Sequence, residues 1–164
     1  MILYHGSIDA VKTPEIRQSE RMLDFGAGFY TTANREQAVQ WTIVVAKRHK
    51  TTERVVSTYE FDRSAAEREL TIIRFNKPDE AWLEFVCAHR IGRKPGEPYD
   101  MVSGPVADDD VFTTVQLYET RVLRKEEAIE RLKHRKLYNQ LLFHTEKSLR
   151  FCRYIGYETV GGTT

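Results

Sequence analysis

Most residues in this chain that could do chemistry fall away on spacing alone. The five histidines, His5, His49, His89, His134 and His144, show none of the i, i+4 pairing that puts two imidazoles on one helix face to hold zinc. Cys87 and Cys152 are too few for a zinc cage or a disulfide framework, and their apolar surroundings suit buried thiols in a reducing compartment. Asp108-Asp109-Asp110 offers carboxylates to a divalent cation, but adjacent side chains diverge, and Gly104 and Pro105 upstream favour a solvated turn. Gly26-Ala27-Gly28 lacks the third glycine and the following helix of a dinucleotide fingerprint, and no GxxxxGK[ST] occurs. Three separated segments remain: Leu3-Tyr4-His5-Gly6-Ser7, Phe25-Gly26-Ala27-Gly28-Phe29-Tyr30-Thr31-Thr32 and Leu137-Tyr138-Asn139-Gln140. An imidazole, a hydroxyl, phenols and a carboxamide are groups for hydrogen bonding and stacking.

The elements that must position them are legible in part. ILYH followed by Gly6 suits a buried strand ending in a turn, and GFYTT a second strand entered through a glycine-rich stretch. Asn34 stands three residues before Gln37, and Ala38, Trp41 and Val45 follow at helical spacing before Lys47 and Arg48, which predicts a helix over 35–47. Val55, Ser57, Tyr59 and Phe61 alternate with Val56, Thr58 and Glu60 as a strand does, and LTIIRF continues in the same style. Pro78, Asp79 and Glu80 open a helix through Trp82, Phe85 and His89 that closes on Arg90, and a further helix is expected over 125–134. MVSG, VFTTVQLY and LYNQLLFH are β-branched or aromatic and too short to be read as helices. Thr145 precedes EKSLRFCRYIG, where Leu149, Cys152 and Ile155 share a helical face and Gly156 would stop it. RIGRKPGEPYD is expected as a surface loop, and the final GGTT as a frayed end.

Strands and helices thus mix without the alternation of a doubly wound sheet, so the expected class is α+β around a split or curved sheet. At 164 residues, 41% hydrophobic and 30% charged, the chain suits one domain, expected over 1–160 with a tail over 161–164. No apolar run reaches membrane-helix length, and MILYHGS lacks the pattern of a secretory signal, so a cytoplasmic protein without membrane association is expected. A formal charge of +1 gives no global field toward nucleic acid.

In order and chemistry the three segments resemble the ADP-ribosyltransferase superfamily, in the branch that holds diphtheria toxin and the poly(ADP-ribose) polymerases. In that branch His-Gly-Ser/Thr ends the first strand, a Gly-x-aromatic-Tyr strand follows a loop, and a glutamate sits on a late strand. The likeness runs from Tyr4 to about Tyr157, with a bacterial branch whose members are proposed as toxin-antitoxin components. It implies an ADP-ribosyltransferase-like core with flanking helices and an NAD-dependent mono-ADP-ribosyltransferase. It also implies NAD as co-substrate and a neutralising antitoxin partner. A macromolecular acceptor is implied too, and the near-neutral charge favours protein over nucleic acid. By the same resemblance His5 would hydrogen-bond a ribose hydroxyl of the adenosine half, Gly6 and Ser7 would meet the nicotinamide carboxamide, and Tyr30 and Trp41 would sandwich the nicotinamide ring. Phe29 and Tyr30 must point to opposite faces, one to the core and one to the cleft. The loop 8–25, with Arg17 and Arg21, would cover the adenosine and pyrophosphate, with an arginine as the phosphate partner.

The chain departs from the family pattern at Gln140, which stands where the resembled enzymes carry the catalytic glutamate. Breaking the nicotinamide–ribose bond builds positive charge on the ribose, as in glycoside hydrolysis. A glutamine keeps hydrogen bonds to the ribose but supplies no charge and takes no proton. Losing one such stabiliser costs roughly 2.7–4 kcal/mol in the transition state. Three readings stay open: transfer to an intrinsically nucleophilic acceptor, Glu146 or Glu84 standing in, and a non-catalytic NAD-binding or interaction module. Polymer elongation is not expected. A different class, a nucleic-acid-binding regulator, would use Lys47, Arg48, His49 and Lys50, charges that equally suit a solvated helix end.

Overall fold

The computed structural model describes residues 1–17, 23–93, 96, 98–106, 109–133 and 138–161. The fold is α+β: seven strands form one mixed sheet, with six helices among the described residues. In chain order the elements are β1 (Ile2–Ser7), β2 (Phe29–Thr32), α1 (Arg35–His49), β3 (Val55–Phe61), α2 (Arg63–Glu69), β4 (Ile72–Arg74) and α3 (Glu80–Arg90). Then follow β5 (Met101–Val106), α4 (Asp109–Glu119), α5 (Lys125–Lys133), β6 (Tyr138–Phe143), α6 (Glu146–Leu149) and β7 (Cys152–Thr159). The strand order is β4-β5-β6-β2-β1-β3-β7, and each adjacent pair is antiparallel except β4 with β5.

Pairing is continuous on either side of the sheet and thin in its middle. β1 runs against β3 from Ile2 opposite Glu60 to Ser7 opposite Val55, and β2 against β6 from Phe29 opposite Phe143 to Thr32 opposite Gln140. Between the halves, β1 and β2 meet at Tyr4 opposite Thr32 and then diverge. Leaving that ladder frees backbone groups that need other partners.

Strand alternation sends neighbouring residues to two cores. Leu3, Phe29, Tyr59, Phe61, Met101 and Phe143 pack on one face with Ala66 and Leu70 of the α2 region. Leu142 and Val102, each one residue out of step, pack on the other face with Trp82, Val86, Val111, Val115 and Leu132 of α3, α4 and α5. Helix α1 covers the β1–β3 half through Ala38 against Val56 and Val160. A Cβ at Gly6 would collide with the Ala38 carbonyl oxygen, so the glycine sets how closely α1 approaches β1.

Several expectations hold. Asn34 caps α1, its Oδ1 accepting from the Gln37 amide at 3.0 Å, while Lys50 closes the helix in the left-handed region. Asp79 caps α3 in the same way through the Trp82 amide. α5 ends at Lys133; His134 lies outside the described residues. The connection from α3 to β5 is irregular where described, with 94, 95 and 97 outside the described residues, as are 162–164 of the tail.

Three expectations fail. VFTTVQLY is helical: Val111 and Val115 fall on one helical face and are completely buried against the α3–α5 core, and that burial outweighs their β-propensity. α4 begins at Asp109, so Asp109 and Asp110 open a helix instead of forming a turn, and Asp108 lies outside the described residues. The helix after Thr145 stops at Leu149, and Cys152 to Thr159 form an edge strand against β3 in which Gly156 lies opposite Thr58, beside a bulge. CRYIGYET carries an alternation of period two that competes with its helical spacing, and the free side of β3 decides between them.

Candidate active site

The cleft opens where the sheet is thinnest, between α1 on one side and α3 with α4 on the other. Its volume is about 450 Å³, and His5, Gly6, Ser7, Tyr30, Trp41 and Gln140 all line it. Each of the three segments therefore brings at least one residue to the same cleft, the third through Gln140, while Leu137 lies outside the described residues. Trp41 joins them from α1 because Gly6 lets that helix sit tight on β1.

His5 occupies the divergence of β1 and β2. By strand alternation its side chain leaves on the face of Leu3, and its ring lies 4.7 Å from that of Phe29. Nδ1–H donates to the Tyr30 carbonyl at 2.8 Å, bonding a group on the β2 edge beyond the last pair with β1. This fixes the tautomer and leaves Nε2 as an acceptor. Burial holds the imidazole below its ordinary value near 6.5; the bond to Tyr30 opposes that shift and the charge of Arg17 adds to it.

Tyr30 lies opposite Leu142 and Thr32 opposite Gln140, so these four side chains share a face of the sheet. Phe29 is buried in the core on one face and still borders the cleft, while Tyr30 lines the cleft from the other face, so the expected division between core and cleft holds only in part. The Tyr30 hydroxyl donates to the Gly26 carbonyl at 2.7 Å and accepts from the Phe25 amide at 3.3 Å, so the 25–28 loop closes on the phenol. Burial, and then the charge of Asp24, push this phenol far above its ordinary range, so it stays protonated and acts as donor and aromatic wall. Gly26 adopts φ +83° with room for no more than a hydrogen, since a Cβ would sit 2.6 Å from His89 Cδ2.

Gln140 is half-buried on β6, opposite Gly104 of β5 on its other side. Neither candidate substitute for a glutamate reaches the site. Glu84 is exposed on α3 and bound to Lys125 at 3.1 Å, and Glu146 is exposed at the start of α6. The carboxylates that do line the cleft are Glu15 and Asp24. Glu15 is exposed and 3.8 Å from Arg17, whereas Asp24 is largely shielded and held by Arg90 at 2.6 Å.

Trp41 is 41% exposed, and the Arg48 guanidinium lies 5.0 Å from its ring centroid. Within the basic run at the end of α1, Arg48 is the member that lines the cleft. Arg17 lines it too, while Arg21 lies outside the described residues. Sequence reasoning missed Asp24, Arg90 and Phe112: Arg90 looks like a cation placed for the helix dipole, and nothing in its spacing marks it as a cleft residue. Among the described residues no cluster of His, Cys, Asp or Glu could hold a metal ion. Burial pushes the Cys87 and Cys152 thiols up to about 12, which suits unreactive thiols. Among the described residues no helix is long and apolar enough to cross a membrane.

His5 and His89 both have imidazoles lowered chiefly by burial. The unfolded chain protonates first as pH falls, so stability is full above about 6.5 and drains away as pH drops from there through the lower folded-state values. Thermal melting followed against pH should be level near neutrality and decline below about 6.5. In the variant with both His5 and His89 changed to asparagine that decline should shrink.

No curated protein and no solved structure matches the chain. A family model does match it, over residues 1–154, and on that match the chain belongs to the family described as Protein of unknown function (DUF3990).

Proposed function

We propose that the protein binds NAD in this cleft and acts as a mono-ADP-ribosyltransferase, passing ADP-ribose to a macromolecular acceptor, protein in preference to nucleic acid. The observation that carries the reading is the convergence of His5, Gly6, Ser7, Tyr30, Trp41 and Gln140 on one cleft of about 450 Å³. In the resembled enzymes these positions bind and cleave NAD. Here the half-buried imidazole offers Nε2 to a ribose hydroxyl, the fixed phenol and the partly exposed indole offer ring faces to nicotinamide, and Ser7 offers a hydroxyl to its carboxamide. In a bacterial cell this activity would suit the toxin of a toxin-antitoxin pair, with an antitoxin as the neutralising partner.

The chemistry balances without a general base on Gln140. The C1′–N bond breaks, nicotinamide leaves with the bonding electrons, the cationic ribose is captured by the acceptor, and the acceptor's proton passes to solvent. An acceptor that is already strongly nucleophilic is the partner that fits such a site. The missing carboxylate, with Glu84 and Glu146 both away from the cleft, favours one second reading: a domain that holds NAD and turns it over slowly or not at all.

Incubation of the purified chain with labelled NAD and a cell lysate distinguishes the two. Transfer of label with release of nicotinamide is the expected result. NAD binding with neither label transfer nor nicotinamide release would leave the binding module as the function, and absence of NAD binding would overturn both.

A further inference from the structure

We propose that Arg90 is an anion-binding residue of the cleft, holding a phosphate group of the bound nucleotide with the part of its guanidinium that Asp24 leaves idle. This rests on the NAD reading above and names a residue for the charged middle of that ligand.

Arg90 is the last residue of α3, and its side chain is 7% exposed in the cleft wall. Nε and Nη2 both donate to one oxygen of Asp24, Oδ1, at 3.0 and 2.6 Å, and the Asp24 side chain is itself 11% exposed. Two parallel bonds to a carboxylate would engage both oxygens, but here the fork closes on one. Nη1 is buried and has no hydrogen-bond partner. A guanidinium carries five N–H donors and cannot shed its proton, and Asp24 takes two of them, so Arg90 keeps idle donors in the cleft wall at a desolvation cost.

The surroundings hold this cation in place and leave its charge only partly spent. The Phe112 ring lies 4.5 Å from the Arg90 guanidinium carbon, and Phe112, half exposed, is itself part of the cleft wall. Glu119 is the other carboxyl nearby. Burial pushes it up while Arg90 pulls it down, and its Oε1 is buried without a partner. Asp24 is thus the carboxylate bonded directly to Arg90. A planar fork with a fixed orientation and free donors is what a phosphate recognises. Arg17, on the same cleft, is exposed and paired only loosely with Glu15, so it lacks that fixed orientation.

The test is calorimetric titration of the full chain with NAD, ADP, inorganic pyrophosphate and nicotinamide riboside, which has no phosphate. Arg90→Lys keeps a cation beside Asp24 but removes the planar fork. It should weaken NAD and ADP at least about tenfold and leave nicotinamide riboside unchanged. If Arg90→Lys does not fold, the charge-free pair Asp24→Asn with Arg90→Gln carries the same expectation. An ion pair that is only structural would lower the melting temperature without changing the preference for ADP over nicotinamide riboside, and that result overturns the proposal. A wild-type chain that binds ADP and pyrophosphate in an Arg90-dependent way but binds neither NAD nor nicotinamide riboside would sustain the Arg90 subsite and sink the NAD reading. NAD binding indifferent to Arg90 would do the reverse, and binding of none of the four would overturn both.

Discussion

Gln140→Glu should raise the rate of nicotinamide release from NAD by about a hundred- to a thousandfold. That is the factor a single well-placed electrostatic stabiliser contributes, roughly 2.7–4 kcal/mol. The substitution is nearly isosteric, and the β6 backbone that carries position 140 is held on both sides, by Thr32 of β2 and Gly104 of β5, so the new carboxylate should take the carboxamide's place. There it would lie on the same sheet face as Tyr30 and, in the proposed reaction, would supply a negative charge to the developing ribosyl cation. A half-buried carboxylate also carries a desolvation cost, so the variant should melt at a somewhat lower temperature than the parent. A faster and less stable variant is a signature that general tightening of the fold would not give. An unchanged rate with NAD bound would mean that position 140 does not face the scissile bond.

The second large effect is expected at His5. His5→Ala should bring ADP-ribose transfer below detection, and it should also destabilise the fold. The Tyr30 carbonyl would lose its donor where β1 and β2 diverge, and because it is only partly buried the cost falls at or below the low end of the roughly 1–3 kcal/mol of a buried unpaired group. The two consequences can be separated. His5→Asn places an amide N–H close to where Nδ1–H now donates, so it should recover most of the stability while still lacking the acceptor at the Nε2 position. Stability restored without activity is the expected pattern, read by thermal melting alongside label transfer. If His5→Asn were as active as the parent, the imidazole would serve the sheet alone.

How much could be read in advance differs from element to element. α1 and α3 were legible because each announces itself three times over, with a side-chain cap at Asn34 or Asp79, apolar residues at helical spacing, and cations in the last turn. β3 was legible from its alternation over Val55 to Phe61. α4 was not, because Val111, Thr113, Thr114 and Val115 prefer strands locally, and only the core formed by α3, α5 and β6 makes the helix worth forming. β7 was not, because CRYIGYET fits either period, and pairing with β3 is a long-range event. At the site, His5, Tyr30 and Gln140 were singled out from the motifs. Asp24, Arg90 and Phe112 come from a turn before β2, the end of α3 and the start of α4, with no shared motif, so nothing local could group them.

The sequence by itself determined most of the backbone stretches that are self-consistent helices and strands, and which polar and aromatic side chains those stretches carry. Those properties depend on neighbours within a turn or two of the chain. Tertiary structure alone decided that β1 and β2 meet at Tyr4 and Thr32 and then part, that His5 reaches the cleft through that parting, and that a largely shielded Asp24–Arg90 pair walls its far side. The physical reason is range: a ladder partner, a burial cost or an ion pair is set by residues that become neighbours only when the core closes, and sequence spacing carries no record of those distances.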